Sequence, residues 1–117
     1  MGFSYEIKTQ LSVKVFSLTG KIMTDEDLVD ISKDITTSIE KGICNLVFDL
    51  NNLNYINSTG INLFMRTLTK ARINNGDLIF SNVNGTVSDL FKIAKLNEIY
   101  TIYSSQEEAL NHFKNKW

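Results

Sequence analysis

The sequence contains no proline and only one cysteine, and both shortages constrain what the chain can be. Without proline, the turns must be made by six glycines and by asparagines, which tolerate the backbone conformations that turns require. Cys44 cannot form a disulfide within the chain, and it lies in the apolar run from Ile43 to Phe48. A free cysteine in such a run behaves as a small hydrophobe, so we expect a buried, unreactive thiol.

Strong net charge and long apolar runs are also missing. The formal net charge is −1 and the isoelectric point is about 5.8, which argues against nucleic acid or an anionic membrane as the partner. The acidic run 25–27 and the basic residues Arg66, Lys70 and Arg72 are typical of solvated helix surface. No apolar run approaches the roughly 20 residues of a spanning helix, and no apolar signal core opens the chain. We therefore expect a cytoplasmic protein that does not insert into membranes.

Residues that support catalysis or metal binding are scarce. His112 is the only histidine, and no serine lies in a Gly-x-Ser-x-Gly segment, so a Ser-His-Asp triad is not expected. One histidine and one cysteine do not make a typical zinc site, and no calcium-loop pattern occurs. Gly20-Lys21 is followed by Ile22 rather than serine or threonine, unlike a phosphate-binding loop. We expect no metal, no cofactor and no enzymatic activity.

The hydrophobic pattern predicts strands and helices in the order β-β-α-β-α-β-α-β-α. Two alternating runs open the chain and predict a hairpin. The first runs from Phe3 to Thr9, the turn is at Thr9-Gln10, and the second run, with Leu11, Val13 and Val15, ends at 19–21. The later strands are predicted at Ile43–Leu50, Asp77–Ser81 and Ile99–Tyr103, and the helices are predicted to begin at Thr24, Ser58, Asn84 and Ser105.

Each predicted helix carries an apolar stripe at spacings of three and four residues. Capping-box patterns at Thr24–Asp27 and Ser105–Glu108 mark the start of the first and last helices. The predicted inward-facing residues are Leu28, Ile31, Ile35 and Ile39 in the first helix, Ile61, Phe64, Met65 and Leu68 in the second, Val87, Leu90, Phe91 and Ala94 in the third, and Ala109, Leu110, Phe113 and Trp117 in the fourth.

Alternating strands and helices indicate parallel strands joined by right-handed crossovers, with the opening hairpin as an antiparallel edge. The predicted fold is therefore a single α/β domain over residues 1–117, with a mostly parallel mixed sheet and about four helices. In such sheets, binding sites lie beyond the carboxyl ends of the strands. The polar segment 51–58 is predicted to be the longest loop at that end, so we expect the functional site there.

Ser58, Thr59 and Gly60 begin the second predicted helix and suit a modification site. Ser58 is predicted to cap the helix by accepting a backbone N–H bond, and Gly60 is predicted to leave the first turn open to another molecule. A phosphate on Ser58 would face free N–H groups and the positive end of the helix dipole. One alternative is that Ser58 is only a cap. Another is a small enzyme in which Asp49 acts as a base near Ser58.

The segment from Asp49 to Ile61, DLNNLNYINSTGI, resembles the signature of STAS domains, the bacterial anti-sigma factor antagonists. The family pattern is Asp-Leu, an apolar anchor, and then Ile-Asp-Ser-Ser/Thr-Gly. The stretch 18–22, LTGKI, is similar to the family's glycine turn between the second strand and first helix, and 87–96 is similar to its third-helix region. The resemblance covers essentially the whole chain.

The resemblance implies a binding mechanism without catalysis by the domain itself. The unphosphorylated domain would bind an anti-sigma factor that is also a serine kinase, which would release a sigma factor for transcription. The kinase would phosphorylate Ser58, with Thr59 as the alternative acceptor, and a serine phosphatase would reverse the modification. The predicted partner-binding residues are Gly20, Lys21, Tyr55, Asn57, Ser58, Thr59, Gly60, Asn62 and Leu63.

Asn57 departs from the family pattern, which usually has aspartate there. The change removes a charge beside the phosphate site, which should lower repulsion toward a phosphoryl group by about 1 kcal/mol at a solvated surface. It also removes a carboxylate that a basic kinase residue could contact. An alternative function is therefore a STAS interaction subunit without a switch, in a signalling or lipid-transport complex.

Overall fold

The computed structural model describes residues 2–114, so Trp117, predicted to extend the apolar face of the last helix, lies outside the described residues. The predicted element order is confirmed. The strands are β1 (Ser4–Gln10), β2 (Val13–Ile22), β3 (Asn45–Ile56), β4 (Asp77–Ser81) and β5 (Thr101–Tyr103). The helices are α1 (Val29–Glu40), α2 (Ser58–Ile73), α3 (Gly85–Ile93) and α4 (Gln106–Lys114), with short 3-10 turns at Asp25–Leu28 and Leu96–Glu98.

The sheet has five strands in the order β1-β2-β3-β4-β5. β1 is antiparallel to β2, and all other neighbours are parallel, so the predicted mixed α/β fold is confirmed. Each crossover helix joins adjacent strands, and crossovers of one hand place their helices on one side of the sheet. We call this side, covered by α1, α2 and α3, the front face, and the side covered by α4 the back face.

A cluster of aromatic rings lies within the core of the front face. Phe16, Phe48 and Phe80 lie directly opposite one another on three adjacent strands. Their ring centroids are 5.5 and 5.8 Å apart in edge-on contacts. Phe64 of α2 packs onto two of these rings at 5.6 and 5.1 Å, which fixes α2 against the centre of the sheet.

Aliphatic side chains form the core of the back face. Val15, Val47 and Ile79 lie in the same register, one residue before the three phenylalanines, and therefore point to the opposite side. They pack against Ala109 and Phe113 of α4. Covering on both faces explains why β3 begins as a nearly continuous apolar run.

The polar segment predicted as a loop is a strand, and that prediction is wrong. β2 runs on to Ile22 and β3 runs on to Ile56, and the two extensions pair with each other. β3 holds one extra residue at each of two register shifts, opposite 17–19 and 20–21 of β2. These bulges change the spacing of the residues of β3 that face the front from two to three, so Leu50, Leu53 and Ile56 are buried between exposed asparagines and Tyr55.

Several smaller predictions are also corrected. The hairpin turn lies at Leu11-Ser12, both with positive φ, so Leu11 is not in the second strand. Met65 and Ala94 are exposed rather than inward, because the buried stripe of α2 runs through Leu63, Phe64, Thr67, Leu68 and Ala71. Cys44 precedes β3 and is half-buried, with its Sγ 3.7 Å from the carbonyl oxygen of Ile39.

Candidate functional site

The start of α2 is capped by Asn57 rather than by Ser58. Because β3 continues to Ile56, Asn57 is the last extended residue, with φ −115° and ψ −166°. Its Oδ1 accepts the backbone N–H of Thr59 at 3.0 Å, which satisfies one of the unpaired donors of the first turn. Ser58 is already the first residue of the helix, so its predicted capping role is wrong.

Asn57 also joins the site to the segment that follows β2. Its Nδ2 donates to the carbonyl oxygen of Met23 at 2.7 Å. An aspartate at this position could accept the N–H bond of Thr59, but it could not donate to Met23. The departure of Asn57 from the family pattern therefore has a structural consequence, since it adds a bond between two loops.

Ser58 is exposed at the first turn of α2. Within residues 2–114, its Oγ makes no hydrogen bond, so modifying this oxygen breaks no contact of the fold. Thr59 follows in the helix but is half-buried, and its backbone N–H is held by Asn57. Of the two candidate acceptors, Ser58 is the more accessible.

Gly60 and Leu63 belong to the core and not to an exposed partner surface, which corrects both predictions. Gly60 is buried, and a Cβ there would lie 3.1 Å from the Cβ of Ile56 and 3.3 Å from the Cγ2 of Ile22. The glycine thus lets α2 approach the ends of β2 and β3, rather than opening the helix to a partner. Leu63 is only 3% exposed because it faces the sheet.

The remaining predicted partner residues divide by exposure. Lys21 and Tyr55 are paired across β2 and β3 and are exposed, as is Asn62 on α2. Gly20 is buried within β2 at φ +95°, and a Cβ there would lie 2.1 Å from the carbonyl oxygen of Gly2. The glycine serves a close backbone contact inside a strand, so the predicted glycine turn between strand and helix is wrong.

An apolar groove of about 340 Å³ lies beside Ser58, between α2 and α3. Ile61 and Leu90 were predicted only as core residues, and Thr86 was not among the predicted residues. These three residues line the groove only because α3 packs beside α2, and no local sequence pattern predicts that packing. The groove is lined by Tyr55, Ile56, Asn57, Ser58, Ile61, Thr86 and Leu90.

Asp49 is a structural acceptor rather than a base for Ser58. Its Oδ1 accepts the backbone N–H of Asn51 at 3.0 Å and the side-chain amide of Asn82 at 3.1 Å. Its Oδ2 accepts the side-chain amide of Gln106 on α4. These bonds engage both oxygens of the carboxylate, and none of them involves Ser58.

The other residues considered for catalysis are not assembled into a site. His112 lies on α4, with its Nδ1 2.9 Å from the hydroxyl oxygen of Tyr103, whereas Ser58 begins a helix of the front face. Among residues 2–114, no three histidine, cysteine or acidic side chains are grouped so as to hold a metal. No helix in that part of the chain is both long and apolar enough to cross a membrane.

Known proteins share this architecture. The chain is 24% identical over 93 residues to BtrV of Bordetella bronchiseptica, a candidate anti-sigma factor antagonist, with 80% of each chain covered. It is similar in fold to the anti-sigma factor antagonist SpoIIAA in its unphosphorylated form, with a TM-score of 0.83 and 19% identity over 96% of this chain and 97% of that one.

Phosphorylated SpoIIAA from Bacillus is also similar, with a TM-score of 0.76 and 19% identity over 94% of this chain and 99% of that one. At these identities the structural likeness establishes the fold. The model of the STAS domain family matches residues 4–109, nearly the whole chain. The chain therefore belongs to the STAS domain family.

Proposed function

We propose that this chain is an anti-sigma factor antagonist. It binds an anti-sigma factor that is also a serine kinase, and phosphorylation of Ser58 ends the binding. The observation that carries the proposal is the exposed residue Ser58 in the first turn of α2, beside an apolar groove. The similarity of the chain to BtrV and SpoIIAA, which are described as a candidate and a known anti-sigma factor antagonist, supports the antagonist role.

A phosphate on Ser58 would change the surface much more than the fold. The hydroxyl makes no hydrogen bond within the described chain, and an anion in the first turn is favoured by the helix dipole. The modification adds about −1.5 to −2 charges. A partner that covers Ile61 and Leu90 in the groove would have to desolvate this new charge, which opposes binding.

Phosphorylation can be tested with the serine-kinase anti-sigma factor of the same organism and ATP. Trypsin should release residues 42–66, in which Ser58 and Thr59 are the only serine and threonine. We expect one added phosphoryl group, assigned to Ser58 by fragmentation. Ser58→Ala should abolish the modification, and Thr59→Ala should retain it. No phosphate on either residue would reject the switch.

Binding gives a second test, with calorimetry on the kinase in the absence of ATP. Ser58→Asp should weaken binding about tenfold or more, a change of about 1.4 kcal/mol or more. Thr37→Asp is the matched control, because Thr37 is an exposed hydroxyl residue near the C-terminal end of α1. It should bind like the unmodified chain.

Asn57 favours a second candidate, a STAS interaction subunit without a switch. Its bonds to Thr59 and Met23 explain the asparagine without any kinase. If Ser58→Asp binds the partner as tightly as Thr37→Asp does, this second candidate replaces the first. The cytoplasm is the compartment in which either protein would act.

A further inference from the structure

β1 forms one edge of the sheet, and within residues 2–114 no strand pairs with its outer side. It is seven residues long, contains no proline and pairs with β2 without a register shift. The opposite edge, β5, has only three residues. A long regular edge strand presents unpaired backbone donors and acceptors to any other strand. We propose that a second copy of this chain pairs with β1, antiparallel and symmetric about Ile7.

The charges of β1 select this register. In a symmetric antiparallel pair centred on Ile7, Glu6 of each copy lies opposite Lys8 of the other. A pair centred on Tyr5 would place Glu6 opposite Ser4, and one centred on Thr9 would place Lys8 opposite Gln10. If the two-fold axis fell between two residues, a side chain on the front face of one copy would lie opposite a side chain on the back face of the other. The alternating pleat of β-strands does not allow this. Only the Ile7 register forms both charge pairs.

The apolar side chain of β1 fits the same arrangement. Ile7 is 39% exposed although it lies opposite the buried Phe16. In the proposed dimer it would meet Ile7 of the second copy on the front face, while the charge pairs form on the back face. On that back face, a groove of about 420 Å³ lies between β1 and α4, so α4 does not cover Lys8 or Gln10.

The dimer leaves the proposed Ser58 surface free. Ser58 follows β3, and β3 is separated from β1 by β2. Pairing through β1 would join two five-stranded sheets into one continuous sheet, with the two Ser58 residues far from the shared edge. The inference is therefore independent of the proposed switch, and each can fail without the other.

Charge reversal tests the register in the full chain. We expect Glu6→Lys and Lys8→Glu each to lower the dimer fraction strongly in sedimentation velocity over a concentration series, because like charges then face each other. Mixing the two variants in equal amounts should restore dimers, since the two lysines of one chain would then face the two glutamates of the other. Lys92→Glu on α3 is the matched control and should dimerise like the unmodified chain.

Cross-linking gives a second measurement that does not depend on affinity. In a Cys44→Ala background, Ile7→Cys should form an intermolecular disulfide with oxidised glutathione, because directly opposed residues have Cα atoms about 4.5 to 5.5 Å apart. Thr9→Cys should not, since its counterpart would be four residues away along the strand. Circular dichroism confirms that each variant is folded.

Three outcomes would overturn the proposal. The first is an unmodified chain that stays monomeric over the whole concentration series. The second is a mixture of charge-reversed variants that does not dimerise. The third is equal cross-linking of Ile7→Cys and Thr9→Cys.

Discussion

The two faces of the sheet are built from the same strands but are held in different ways. On the front face, Phe16, Phe48 and Phe80 lie in one row and pack edge-on against one another and against α2. On the back face, the aliphatic row under α4 is followed, two residues further along, by a polar row. This row consists of Ser17, Asp49, Ser81 and Tyr103, which lie opposite one another on β2 to β5.

The front face therefore contributes mainly to the stability of the fold, and the back face mainly to the orientation of α4. Ring packing does not require hydrogen-bond geometry and gives a large stabilisation by burial. The rings of the front face therefore fix α2, which begins at Ser58, against the sheet. The back-face row instead bonds the start of α4 directionally, through the side-chain amide of Gln106 on the carboxylate of Asp49. Buried hydrogen bonds contribute less net stability, but they are costly to leave unpaired.

Truncating the central ring of the front face should have the largest effect. Phe48 is fully buried and touches three other rings. Phe48→Ala should lower the free energy of unfolding by about 4 kcal/mol through lost burial and a cavity. Urea unfolding followed by circular dichroism measures the loss. Val47→Ala, the back-face neighbour, should cost about 2 kcal/mol, and equal losses would show that the two faces do not differ.

The polar row should give the next largest effect. Asp49 is 8% exposed and accepts bonds from Asn51, Asn82 and Gln106. Asp49→Asn removes the charge and turns an NH₂ group toward one of these donors, which should cost about 2 kcal/mol in urea unfolding. The control is Ser17→Ala, which removes only a 3.4 Å contact with Gln106. A cost at Asp49 no larger than at Ser17 would contradict the role of the row.

The polar row also shows where sequence reasoning reached its limit. The element order and the fold follow from local patterns, because apolar spacing and helix caps depend on near neighbours in sequence. The row depends on cross-strand register, which brings residues such as Ser17 and Asp49 together across 32 positions. The extension of β3 is not predicted for the same reason. The bulges that space its buried residues three apart depend on pairing with β2.

The start of α2 is predicted correctly from the sequence, but the way its first turn is built is not. The segment STG does begin α2, and Ser58 is exposed there. Asn57 rather than Ser58 caps α2 because β3 extends to Ile56. Gly60 is buried rather than open because α2 packs onto the strand ends. The groove required the neighbouring helix, α3, whose position beside α2 is a tertiary feature.

Asn57 allows a test of how much the hydrogen bonds at the start of α2, outside the cluster of rings, stabilise the fold. Asn57→Asp keeps an oxygen for the N–H of Thr59 but loses the bond to the Met23 carbonyl, so we expect a cost of about 1 kcal/mol. Asn57→Ala loses both bonds and should cost about 2 kcal/mol. Urea unfolding of the two variants checks the order. If Asn57→Asp is as stable as the unmodified chain, the Met23 bond contributes nothing.

The smallest effect should come from the protonation of Asp27, which lies in the 3-10 turn before α1 on the front face. Asp27 Oδ2 accepts the backbone N–H groups of Met23 at 3.0 Å and Thr24 at 3.1 Å, and these bonds lower the pKa of Asp27 below its ordinary value of 3.8. A lowered pKa in the folded state means that the contribution to stability is complete above about pH 4 and is lost as the pH falls through the folded value. The amide chemical shifts of Met23 and Thr24 should therefore titrate with a midpoint below 3.8, and Asp27→Asn should remove the titration. A midpoint at or above 3.8 would show that the carboxylate does not hold this turn.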